Sequence, residues 1–169
     1  MSDFVARAAQ LAYFMAPAYV ANMAPPFVKY WAGWNPPLSR RWLGSHKTVL
    51  GFAAGVTGAV LATLVQSRLG WAGDIVAYDD WALLGLRFGC GAMAGDSAKS
   101  FFKRRRGIAP GAPWVPFDQL DFVVGALVLG GPGAALGWTD VLVILVVSGI
   151  GHILVNHLGW ALGIRETRW

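Results

Sequence analysis

Asp96, Asp118 and Asp121 are the residues whose types and spacing could do chemistry, and a row of cations stands with them. They lie in GDSAKSFFKRRRGIAPGAPWVPFDQLDF, Gly95 to Phe122, together with Lys99, Lys103, Arg104, Arg105 and Arg106. At helical spacing Asp96, Lys99, Ser100 and Lys103 share one face, and Asp118 and Asp121 share another. Three carboxylates and a cationic ridge brought together from two helix ends suit a divalent metal and the phosphates it neutralises. Hard Mg2+ takes oxygen ligands, and Lys or Arg stabilises phosphate oxygens. The stretch reads as a catalytic loop joining two apolar segments, with Asp96, Asp118 and Asp121 as metal ligands and Lys99, Lys103 and Arg104 on phosphate.

Each of these residues also has a plainer role open to it. A basic run after an apolar span serves as a positive-inside anchor, which would account for Arg104 to Arg106. Asp118 and Asp121 open an apolar segment, where the helix dipole favours acids. Asp96 is harder to reassign, because it follows about fifteen mostly apolar residues, and an ionisable group at such depth marks a functional site by default.

The elements that must position these groups are membrane helices. With 56% hydrophobic residues, 14% charged residues, 22 glycines in 169 positions and a positive mean hydropathy, the chain is more apolar than a soluble domain of its size. Its apolar runs approach the roughly 20 residues that cross about 30 Å of hydrocarbon, whereas barrel strands would alternate every second residue. The expected fold is an all-α integral membrane protein, a single domain over 1–169, with five spans near 5–23, 49–66, 81–101, 122–136 and 141–162. The first run lacks a basic leader and a cleavage site, so it reads as a span rather than a signal peptide. Cys90 stands alone inside a span and reads as a small buried hydrophobe.

The segments between spans carry the remaining candidates. Residues 27–47 hold Lys29, Arg40, Arg41, His46 and Lys47 among Trp31, Trp34 and Trp42, with prolines at 25, 26, 36 and 37 that rule out a continuous helix. Such interleaving suits the headgroup layer, and the segment could also cover a substrate. Ser45, His46, Lys47 and Thr48 precede a span, where a helix N-terminus, a lysine and hydroxyls make either a phosphate cradle or a capped helix start. Gly51, Gly55 and Gly58 favour tight helix packing. Asn22, in the last turn of the first span, is either an interhelical hydrogen-bonding group or a substrate contact. His152 and Asn156 share a face of the last span, with either an interhelical hydrogen bond or a proton-relay or substrate role open to them. Arg87, inside the third span, should pair with an acid of residues 70–80 or reach outward.

Orientation follows from the bases. Residues 24–48 hold four Lys or Arg, 99–117 hold five and the tail holds Arg165 and Arg168, which places eleven of the fourteen on one side. The positive-inside rule then puts the amino terminus outside and the carboxy terminus in the cytoplasm, with both basic loops.

The string GDSAKSFFKRRRGIAPGAPWVPFDQLDFVVGAL resembles the signature of the CDP-archaeol synthase family, small membrane enzymes related to the phosphatidate cytidylyltransferases. PAYVANMAPPF and SHKTVLGF resemble other segments of that family, in the same order. The resemblance implies transfer of a cytidylyl group from CTP to a prenyl-ether lipid phosphate, with Mg2+ as cofactor and release of pyrophosphate, at the cytoplasmic face of the cell membrane. In the related enzymes an acidic pair spaced like Asp118 and Asp121 is associated with metal, and a lysine-threonine segment like Lys47-Thr48 precedes a span; the candidate substrate- and nucleotide-binding residues of this chain are Lys47, Thr48, Ser45, Ser100, Arg104 and Asn22. Where the family often carries Lys-Thr-Trp-Arg-Gly, this chain has Val49 and Leu50 before Gly51, a departure that bears on the nucleotide contact made there. Two other classes share some of these features. A transporter would spread its polar residues across the bilayer, often in an inverted repeat, and no such repeat is visible. A subunit that binds anionic lipid needs the cations but not the acids.

Overall fold

Five long helices and a small hairpin make up the computed structural model, which describes residues 2–28, 33–109 and 112–163. In chain order they are α1 (Ser2–Met23), the short turn of helix α2 (Pro25–Val28), strands β1 (Pro37–Ser39) and β2 (Gly44–Thr48), α3 (Val49–Leu69), α4 (Trp81–Arg105), α5 (Phe117–Gly130) and α6 (Trp138–Ala161). The expectations for Lys29, Trp31, Arg165 and Arg168 fall outside the described residues.

The ends of the helices have local causes. Thr48 caps α3, its hydroxyl accepting from the Gly51 amide at 3.1 Å, and Gly70 closes the helix in the left-handed region at φ 54°, its amide donating to Gln66 O. Asp140 accepts from the Gly137 amide at 3.0 Å at the start of α6, and the same carboxylate receives the Arg7 guanidinium at 2.7 and 2.9 Å. That bidentate pair ties the early turns of α1 and α6.

Packing centres on α1. Leu11, Phe14, Met15, Ala18 and Ala21 are buried against Ala59 of α3, Phe88 and Ala92 of α4, Phe122, Val123 and Ala126 of α5, and Ile144 of α6. The Phe14 and Phe88 rings meet edge to face, with centroids 5.0 Å apart. The glycines of α3 do pack tightly: a Cβ at Gly55 would lie 2.4 Å from Met93 Sδ and 3.0 Å from Ala21 O. The outward faces of α3 and α6 are apolar and exposed, Leu61, Val65, Val146, Leu154 and Leu158 among them. Both helices are long and apolar enough to cross a membrane.

Several features depart from expectation. Residues 25–48 are not simply loop, because α2 and the antiparallel β1–β2 pair fold within them, so the chain is mostly helical rather than all-α. Helix α4 does not end near Phe101 but runs through Lys103, Arg104 and Arg105, strong helix formers whose charges suit a helix C-terminus. The stretch read as a catalytic loop is therefore largely helix, with a short connection from Arg106 to Pro116 between α4 and α5. Helix α5 starts at Phe117, ahead of its apolar stretch, and stops at Gly130. Cys90 is half-buried on α4 rather than fully enclosed. Of the two roles open to Arg87, the outward one agrees with the structure: it is exposed on α4 and pairs with no acid among the described residues.

Candidate active site

The acids meet because α4 and α5 approach at backbone distance. A Cβ on Gly95 would lie 2.1 Å from Asp121 O, and one on Gly91 would lie 2.4 Å from Gly125 O. With both helices this close, Asp96 on α4 faces Asp118 and Asp121 in the opening turns of α5. Lys99, one turn beyond Asp96, sits between them. Its Nζ is 3.2 Å from Asp96 Oδ1, 3.3 Å from Asp118 Oδ1 and 2.7 Å from Asp121 Oδ2. Lys103, a further turn along, lies 3.1 Å from both oxygens of Asp118 and donates to Ala112 O at 2.5 Å.

The last residues before α5 fold back onto this pair of helices. The Trp114 amide donates to Asp118 Oδ2 at 2.5 Å, and the Asp118 amide returns a bond to Trp114 O at 3.0 Å. Asp118 lies ahead of the apolar part of α5. Burial raises its pKa, but Lys99, the Trp114 amide and Lys103 outweigh burial and hold the carboxyl below its ordinary range. The Arg106 guanidinium lies 5.3 Å over the Trp114 ring.

The hairpin supplies the third wall. Lys47 on β2 reaches across to pair with Asp96 Oδ2. Asn35 anchors the hairpin, accepting from the Leu50 amide at 3.2 Å and donating to Val28 O at 3.4 Å. Between hairpin, α3 and α4 lies a cavity of about 40 Å3, lined by His46, Lys47, Thr48, Phe52, Asp96 and Ser97 among others. Trp42 of the hairpin packs on Phe101, centroids 5.6 Å apart, with the guanidinium groups of Arg41 and Arg105 over its ring.

Six of the candidates thus come together: Asp96, Asp118, Asp121, Lys99, Lys103 and Lys47. The others are placed differently. Thr48 uses its hydroxyl for the α3 cap, and Ser100 donates to Asp96 O at 3.0 Å within its own helix. Ser45 is exposed on β2, Asn22 is half-buried in the last turn of α1, and Arg104 has a buried Nε without a hydrogen-bond partner. Lys99 and Lys103 are bound to carboxylates instead of projecting as free phosphate clamps. Asn156 approaches His152 within α6 at 3.3 Å. Sequence reasoning missed Asn35, Ser97, Trp114 and the aromatic stack; only the crowding of Trp, Lys and Arg signalled the stack.

Whether the acids suit a metal turns on Lys99. Among the described residues no three His, Cys, Asp or Glu side chains form a ready site on their own. The ammonium sits where three carboxylates converge, so a metal touching all three would have to displace it. Mg2+, however, is usually held by one or two carboxylates with substrate phosphates and water completing the shell. Asp121 Oδ2 lies 2.7 Å from the Lys99 ammonium, so a metal on this oxygen would share it with that lysine or take its place. The donor set fits an ion that shares its shell with phosphate.

Comparison with known proteins gives one consistent family. The family model described as CarS-like, CDP-archaeol synthase, matches residues 4–169. A CDP-archaeol synthase of Methanospirillum hungatei is 37% identical over 169 residues, covering 92% of this chain and 100% of the relative. One of Halobacterium salinarum is 35% identical and covers 99% of both chains. A solved structure described as an intramembrane enzyme for archaeal membrane lipids biosynthesis is similar at a TM-score of 0.66 and 31% identity, covering 86% of this chain and 91% of that one.

Proposed function

The chain belongs to the CDP-archaeol synthase family, and from that premise we propose that it transfers a cytidylyl group from CTP to 2,3-bis-O-prenylglycerol 1-phosphate or a closely related lipid phosphate. It is a CTP-dependent nucleotidyltransferase. The lipid phosphate oxygen attacks the α-phosphorus of CTP, a bond forms between them, and the bond from that phosphorus to the bridging oxygen breaks to release pyrophosphate. No side-chain nucleophile is needed. Two polyanions must be brought together and the charge on the departing pyrophosphate absorbed, so positioning and electrostatics carry the rate.

The observation that carries this reading is the convergence of Asp96, Asp118 and Asp121 with Lys47, Lys99 and Lys103 from three elements at one end of the bundle. Lys47 on the hairpin and Lys99 on α4 are paired with carboxylates in this structure, and are the cations that would exchange those partners for phosphate oxygens. Lys103 positions Asp118 and holds Ala112 against α4. Asp96, Asp118 and Asp121 are the residues to hold Mg2+, which would supply charge neutralisation on the CTP phosphates. A cavity of about 40 Å3 has room for little more than a water molecule. A nucleotide entering this cavity would have to part the hairpin from α4.

Membrane placement is part of the same proposal. Residues 1–169 act as one membrane-embedded unit of the cell membrane. Helices α1, α3, α4, α5 and α6 cross the bilayer with the amino terminus outside, and the acid and lysine cluster faces the cytoplasm, where CTP is found. Support comes from the bases: Arg40, Arg41 and Lys47 belong to the hairpin region, Arg104 and Arg105 end α4, and Arg106 follows it. All six therefore gather at the end of the bundle that holds the acids, as the positive-inside rule asks of a cytoplasmic face.

The test is turnover of labelled CTP by purified protein with the lipid phosphate and Mg2+. Asp118→Asn should lower kcat/KM by about 10²-fold or more, the scale at which one misplaced group costs turnover. Asp118→Asn protein that keeps full turnover, or wild type that gives no CDP-lipid, would end this reading.

A further inference from the structure

The hairpin turn and the last turns of α4 carry exposed cations that the acids of the site do not use. Arg41 and Trp42 lie in the turn between β1 and β2, while Phe101 and Arg105, one helical turn apart, share a stripe of α4. Trp42 stacks on Phe101 with centroids 5.6 Å apart and planes tilted by 34°. The Arg41 guanidinium lies 4.9 Å from the Trp42 ring, and that of Arg105 lies 5.6 Å from Trp42 and 5.3 Å from Phe101. Two cations from different elements thus share one indole, which limits how far apart their charges can stand. Both side chains are exposed, so their forks are free to turn toward a common anion.

Nothing on the protein balances these charges. Residues 24–48 and 97–117 hold no Asp or Glu. Asp96, Asp118 and Asp121, the acids at this end of the bundle, are taken up by Lys47, Lys99 and Lys103. Among the described residues no acid pairs with Arg40, Arg41 or Arg105.

The chemistry of the pair indicates its partner. Guanidinium forks meet phosphate oxygens in two-pronged contacts, and a ring gripped by cation–π contact keeps the two forks from spreading. Phe102 continues the aromatic surface, edge to face with Phe101 at 5.5 Å, and is 56% exposed. A phosphate site bordered by exposed ring carbon suits an amphiphile better than a soluble anion, and the placement proposed above sets it at headgroup depth. We propose that Arg41 and Arg105, braced by Trp42, bind the phosphate of an anionic phospholipid from the surrounding leaflet, with Phe102 against its chains. The inference rests on that membrane placement and not on nucleotidyl transfer. Once occupied, the site ties the hairpin to α4, the same two elements that Lys47 and Asp96 join.

The test counts lipids retained by the full chain in native mass spectrometry, during titration of the detergent-solubilised protein with phosphatidylglycerol and, separately, with phosphatidylcholine. CTP is absent, so the outcome does not depend on whether the protein turns CTP over. Wild type should hold one phosphatidylglycerol about tenfold more tightly than phosphatidylcholine, the scale of a hydrogen bond to a charged group. Arg41→Ala and Arg105→Ala should each remove that preference, and the double variant should lose little more, because one phosphate spans both. Trp42→Ala keeps every charge and should still lose the preference, which Trp42→Phe recovers in part. Arg40→Ala removes the same charge from the adjacent position and should leave the preference intact. Diffuse attraction to a basic surface predicts the reverse: Arg40→Ala equal to Arg41→Ala, additive losses in the double variant, and no effect of Trp42→Ala. Any of these overturns the proposal. So does equal retention of the two lipids by wild type, or displacement of phosphatidylglycerol by inorganic phosphate at the same concentration, which assigns the arginines to a soluble anion.

Discussion

Lys103 shows how much depends on one side chain at the site. It is 7% exposed, and its ammonium is divided between Ala112 O and both oxygens of Asp118. It therefore fastens the connection between α4 and α5 while fixing the carboxylate. Lys103→Met should make that connection more sensitive to limited proteolysis and lower CTP turnover by about 10²-fold. Lys103→Arg should recover part of both, because it keeps the charge while a planar fork replaces a compact ammonium. Unaltered proteolysis in Lys103→Met would remove the tether from the account. The sequence spacing put Lys99 and Lys103 on the face of Asp96, but spacing along one helix says nothing of what the next helix brings to that face. That the acids of two helix ends would meet the cations was legible, but which lysine meets which acid was not, and Lys47 lies 49 residues from the acid it meets. Nor were the local commitments of Thr48 and Ser100, whose hydroxyls serve backbone groups within four residues.

Among the elements, the contact between α4 and α5 governs the geometry of the acids. Gly95 lies against the carbonyl of Asp121 itself, so any side chain there forces the two helices apart at the site. Gly95→Ala should cost on the order of 1–3 kcal/mol of stability, as overpacking does, and should lower activity by separating Asp121 from Lys99. Gly151→Ala, on α6 with nothing within 4 Å of the added carbon, should alter neither. Thermal unfolding in detergent and the CTP assay, run side by side, check both; equal behaviour of the two variants would exclude close approach as the cause. The helices themselves were readable, because long apolar runs bounded by Thr48, Gly70 and Pro116 leave few alternatives. The hairpin was not: a three-residue strand opening on Pro37 carries no alternation to read, and its anchor Asn35 works through backbone groups on either side. The extension of α4 to Arg105 was hidden because the basic run was read as a break in the span, although Lys and Arg favour a helix end.

For the molecule as a whole, the proposed orientation makes a direct prediction. In a Cys90→Ala background, a cysteine at exposed Ser45 should react with a membrane-impermeant maleimide only in inverted vesicles, and one at exposed Asp79 only in intact cells. Labelling of both from the same side would rule out the arrangement. The cluster at the end of α4 has a further consequence, for biogenesis. Asp96, Asp118 and Asp121 are matched by Lys47, Lys99 and Lys103, so the six groups sum to no formal charge. An electroneutral unit is less costly to carry to the margin of the hydrocarbon than any of its members alone. Asp118→Asn leaves a surplus positive charge and should reduce the amount of protein recovered in the membrane fraction, apart from its effect on turnover. The double variant Asp118→Asn with Lys103→Met restores the balance and should recover yield without recovering activity, as an immunoblot beside the assay will show.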